Sequence, residues 1–231
     1  MSGADEFGDT WVYESIVGAV PGLDLRSRTA VALQFALFQG GLLVLAWAYD
    51  LWSAAVPGTV AVAVAAAGSV AMLHLGSRTR ALDPPEPVRR LLFGSSIEVV
   101  LSVLAFVALV TYLLADGGTG GAALFTDLFG PDPPVLPVYL TLLVLWDLCY
   151  RIGTSWWIAV VSLWRSVHFR FEAQTAAQYR RIDAANVGFG LLQLALVPFV
   201  RDEPILLVAV VGHVLAVTVV STAAYVLAGR G

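Results

Sequence analysis

Apolar residues in this chain fall into six blocks, at about 29–49, 56–76, 91–115, 135–164, 184–200 and 204–228. Most reach the roughly 20 residues that an α-helix needs to cross about 30 Å of hydrocarbon. Block length constrains the fold more than any other feature, because a soluble helix shows an amphipathic stripe rather than a continuous apolar run. Charge agrees: 13% of the 231 residues are charged, against roughly 25% in soluble domains. A water-soluble globule is excluded, and a disordered chain is too. A disulfide framework fails because Cys149 is the single cysteine. The expectation is an all-α, polytopic membrane bundle of six transmembrane helices. A single domain covers 29–231, preceded by an N-terminal segment, 1–28.

Basic residues set the orientation. All thirteen are arginine, and outside the spans they alternate in density from one connection to the next. Summed over alternate sides, eleven arginines face one side and only Arg201 the other. The excess of basic residues on cytoplasmic loops places both termini in the cytoplasm of a cell membrane. Trp47 and Trp52, and the group Trp156, Trp157 and Trp164, mark aromatic belts, where an indole is apolar yet finds a partner for its N–H. The fourth span is too long for a straight crossing, so it should tilt or protrude.

Three segments outside the spans carry further readings. Thr10 can cap a short helix from Trp11 to about 20, lying at the membrane surface or forming only a loosely ordered tail. The connection 116–134 opens on a glycine-rich hinge and closes on Pro131, Pro133 and Pro134. It reads either as an interfacial helix over about 122–129 or as an irregular capping loop. The connection 165–183 mixes Arg165, Arg170, Arg180 and Arg181 with Phe169, Phe171 and Tyr179, a composition suited to anionic lipid headgroups. Glu172 and Asp183 in the same stretch argue against nucleic acid.

Arginine-only usage, abundant Ala, Val and Gly, and the stretch from Phe7 to Ser15 together resemble haloarchaeal multi-pass membrane proteins. The resemblance is one of composition and of that opening stretch, and it implies a membrane location without implying an activity.

No phosphate loop, dinucleotide fingerprint, zinc-protease motif or nucleophile elbow is present, and His74, His168 and His213 lack metal-ligand spacing. No cofactor is therefore expected, and an enzyme acting on lipid is the weakest reading. What remains is ionisable groups at membrane depth, which cost about 2.5–3.5 kcal/mol each on insertion scales and are paired or functional. Asp147 and Arg151 stand four residues apart on one helix face, as a self-neutralised pair or a charge relay. Glu98 and His213 have no partner in their own spans. The sharpest expectation is one converging cluster of Glu98, Arg151, Asp147 and His213. The alternative for Glu98 is a bond to Ser95, Ser96 or Ser102, or a water-filled vestibule. Gln34, Gln39 and Gln193 read as bonds between helices, and Gly212 with Ala216 as a close-packing pair. Gly188, Gly190 and Pro198 would permit local unwinding of the fifth span.

Two functions fit. The first is a membrane scaffold or accessory subunit whose polar core is paired for specificity, with a membrane-protein partner or a second copy. The alternative is a small-solute or proton-coupled transporter that uses the mid-membrane cluster.

Overall fold

The computed structural model describes residues 11, 27–114 and 120–229. Seven helices carry the fold: α1 (Ser27–Ala48), α2 (Trp52–Arg80), α3 (Ile97–Leu114), α4 (Gly121–Phe129), α5 (Val135–His168), α6 (Ala173–Leu192) and α7 (Pro204–Leu227). Counting the pieces joined to α3 and α6, six helical stretches are long and apolar enough to cross a membrane. The short helix α4 falls where the sequence places an interfacial one. The segment expected to form a surface helix over about 11–20 lies outside the described residues, apart from Trp11.

Helix α5 is the axis of the bundle. At 34 residues it is about 50 Å long, well beyond the roughly 30 Å of hydrocarbon. It packs on α3, α7, α2, α1 and α6. Two of these crossings depend on glycine. A Cβ on Gly68 of α2 would stand 2.8 Å from both Arg151 and Phe189, and one on Gly153 of α5 would meet Ser102 at 2.5 Å. Gly212 does not play the packing part expected of it: it is exposed, and a Cβ there would touch nothing within 4 Å.

Two spans differ from the expectation. The fifth begins at Ala173 rather than about 184, so the basic connection shrinks to residues 169–172. The added turns are polar overall, but their buried residues Ala176, Tyr179, Asp183, Asn186 and Gly190 recur at three- and four-residue spacing. That stripe packs inward and takes Asp183 with it, while Arg181 lies on the exposed face. The third span is broken: a turn at Glu86–Arg89 runs into a π-helical turn at Arg90–Gly94, and Ser96 then takes a left-handed φ of 53° before α3 starts. A break of this kind frees carbonyls that need donors. Leu91 O accepts from Ser95 Oγ at 2.6 Å and from Trp157 Nε1 at 2.8 Å, and Leu92 O accepts from Trp11 Nε1 at 2.8 Å. Trp11 is fully buried among Met72, Leu75, Leu92, Phe93, Tyr179 and Ile182, and its ring lies 5.1 Å from that of Phe93.

The fifth span also unwinds ahead of Pro198, as its composition foreshadows. Proline cannot donate to the carbonyl four residues back, and its ring crowds that carbonyl. Residues Gln193–Leu196 form a 3-10 turn, and the helix resumes at Val197–Val200.

Candidate functional site

Among the described residues, three sets of polar side chains lash helices together. Arg151 donates to Asp147 at 2.7 Å and to the sulfur of Met72 at 3.1 Å, and Asp147 also accepts from Gln34 at 2.9 Å. This set joins α1, α2 and α5. The space beside Asp147 holds about 10 Å³, enough for one water at most. Asn186 of α6 accepts from Ser155 of α5 at 2.9 Å and donates to Ser221 of α7 at 3.3 Å. Arg165 of α5 forks onto both oxygens of Asp183 of α6, at 2.9 and 3.2 Å, with its guanidinium carbon 4.0 Å from the centre of the Tyr179 ring. Asn186 and Ser221 escaped the sequence reading because neutral polar residues are common in membrane helices and carry no pattern of their own.

The expected four-residue cluster forms only in part. Asp147 and Arg151 meet, but neither Glu98 nor His213 joins them. Glu98 is fully buried and neither of its carboxyl oxygens has a hydrogen-bond partner among the described residues. Ser102 bonds instead to the Glu98 backbone carbonyl. His213 Nε2 is buried and unpartnered as well. The arginines expected to face lipid headgroups divide likewise. Arg165 is 3% exposed and is held by Asp183, which the earlier start of α6 places beside it. Arg170 and Arg181 are exposed and Arg180 half-buried, Arg180 standing 5.6 Å from the centre of the Tyr225 ring.

The most distinctive feature is a cavity of about 850 Å³ in the half of the bundle away from the arginine-rich ends of α2 and α5. It lies between α2, α3, α4, α5 and α7, where α2 and α7 share at most a marginal contact. The walls are almost wholly aliphatic and aromatic, and Phe125 and Phe129 of α4 close one end. Val56, Ala105 and Ile205 both line the cavity and are exposed, so it opens sideways to whatever surrounds the bundle. Its deep end reaches half-way along α5 and α7, at Ile152 and His213. There it meets Gln193, a fully buried amide with neither its oxygen nor its nitrogen partnered among the described residues. Gln193 therefore does not form the interhelical bond expected of it, whereas Gln39 does, to Thr59 at 2.9 Å. At the other end Tyr112 of α3, which lines the cavity, donates to Glu203 ahead of α7 at 2.7 Å.

The volume lies in the upper part of the range of small-molecule sites, about 300–1,000 Å³. An aliphatic lining gives water few partners, so the chemistry of the space suits an apolar occupant.

Six membrane-length helices define a multi-pass membrane protein, here one with a side-opening apolar chamber. The chain belongs to a family of unknown function, DUF7530, whose model matches residues 6–224. No curated protein and no solved structure matches it.

Proposed function

We propose that this protein binds a lipid-soluble molecule inside the membrane and that its paired charges hold the binding bundle in shape. The observation that carries the reading is the apolar cavity of about 850 Å³ with a lateral mouth. The paired core supports the scaffold half of it. Asp147 and Arg151 neutralise each other in a space that is nearly dry, and such pairs serve helix specificity better than charge movement. A scaffold or accessory subunit that presents or stores a lipophilic molecule for a membrane partner combines both features. The arginines of residues 78–90 and 165–181 gather at one end of the bundle, which supports cytoplasmic termini in a cell membrane by the positive-inside bias.

The test is co-purification. The protein is extracted in detergent, and bound lipid is measured by native mass spectrometry and by organic extraction. The wild-type chain should retain lipid through delipidating washes. Ala61→Phe and Ala209→Phe, which fill cavity volume without touching a polar group, should lose it. Equal retention by both variants, or none by the wild type, overturns the reading.

A transporter is the second reading, and Glu98 favours it, since an unpartnered carboxyl group at membrane depth is the kind that carries a proton or cation. Glu98→Cys in a Cys149→Ala background, probed from each side of oriented vesicles with an impermeant thiol reagent, separates the two. Labelling supports transport. No labelling of a folded variant, with a surface cysteine reacting, supports the closed scaffold.

A further inference from the structure

The cavity floor carries a second, more specific message, which rests on the reading of the cavity as a ligand site. Helices α6 and α7 run antiparallel, and a Cβ on Gly190 would stand 3.5 Å from Val217. Three residues onward from Gly190 and four residues back from Val217, that register brings Gln193 level with His213. Both line the cavity, and both hold buried hydrogen-bonding atoms without a partner: Oε1 and Nε2 of Gln193, and Nε2 of His213. Buried polar groups are otherwise partnered throughout proteins, and those that are not call for an explanation. Most of the cavity lining is aliphatic, Ala61, Leu148, Ile152 and Leu196 included, and offers them little to bond with.

We propose that Gln193 and His213 form a headgroup site that hydrogen-bonds the carbonyl or hydroxyl oxygen of a neutral lipid-soluble molecule, whose apolar tail fills the cavity toward Phe125. The amide offers both a donor and an acceptor, and a neutral imidazole offers one of each. Together they suit a head that accepts through a carbonyl or both donates and accepts through a hydroxyl. The head is neutral because no Asp, Glu or Arg among the described residues lines the cavity, and a buried charge without a counter-charge is strongly disfavoured.

The experiment measures retention of three radiolabelled probes with the same long alkyl chain by the purified full-length protein: the alcohol, the alkane and the carboxylate. Two hydrogen bonds in place of unmet ones should favour the alcohol over the alkane by about tenfold or more. Gln193→Leu and His213→Leu should each lower alcohol retention toward the alkane level and leave the alkane unchanged. Thermal unfolding without probe keeps the test independent of folding: Gln193→Leu removes an unmet polar group, so it should be at least as stable as the wild type. Equal retention of alcohol and alkane overturns the headgroup site but leaves the lipophilic cavity standing. Preference for the carboxylate overturns the neutral head. Failure to retain any of the three overturns the cavity reading itself.

Discussion

Replacing Asp183 with Asn tests whether the charges at the arginine-rich end are structural. Arg165 and Asp183 are 3% and 0% exposed in their side chains, and two nitrogen–oxygen contacts lie within 3.2 Å. Removing one member of such a pair leaves the other buried without a counter-charge, which costs about 3–5 kcal/mol. The Tyr179 ring at 4.0 Å and Ser162 Oγ at 3.4 Å still cushion Arg165, so the expected loss is near 3 kcal/mol, at the low end of that range. For a chain of this length that lowers the unfolding temperature by about 6–12 °C. The double replacement Arg165→Met with Asp183→Leu keeps the volume and removes both charges. It should return to within about 1 kcal/mol of the wild type or exceed it. The assay is thermal unfolding in detergent followed by tryptophan fluorescence, with Arg165→Met and Asp183→Leu as the single corners of a double-mutant cycle. The reasoning fails if Asp183→Asn melts with the wild type, or if the double variant loses the sum of the two single losses.

Two further outcomes follow from close contacts. Gly68→Val should destabilise by about 1–3 kcal/mol, because its Cβ meets Arg151 and Phe189 at 2.8 Å. Gly188→Ala, with nothing within 4 Å, should be neutral or stabilise by up to about 1 kcal/mol, and chemical denaturation compares the two. Tyr112→Phe removes the bond to Glu203 at the cavity end and should hasten modification of Cys149, a cavity-lining thiol, by a lipid-soluble maleimide. One hydrogen bond to a charged group corresponds to about tenfold or more in rate, and unchanged kinetics would show that this contact does not govern entry.

Length and hydropathy were enough to count the six spans, because a span announces itself by local composition alone, while α4 was one of two readings left open for residues 122–129. Four-residue spacing was enough to pair Asp147 with Arg151. The start of α6 was hidden because Arg180, Arg181 and Asp183 look like a loop when counted as charges. The signal that would have found it is the stripe Ala176, Tyr179, Asp183, Asn186 and Gly190, read as a helix face. The same stripe would have turned Arg165 inward. The cavity left no trace in the sequence. It exists because α2 and α7 do not close on each other, and a missing contact has no residue pattern. For the same reason Gln193 passed for an interhelical bond: its partner is decided by the neighbouring helices, not by its own.

The indole of Trp11 sits in a socket that has a consequence for how the chain assembles. The hydrophobic cluster it belongs to draws on α2, the broken third span, α5 and α6, as far along as Ile182, and its acceptor is the Leu92 carbonyl in the π-helical turn. Trp11 therefore has no complete place to dock until some 170 later residues have been made and packed. Synthesis runs from N-terminus to C-terminus, but this contact closes in reverse order, with the earlier residue locked in last. Trp11 thus works as a keystone, and its burial reports that the bundle around it is complete.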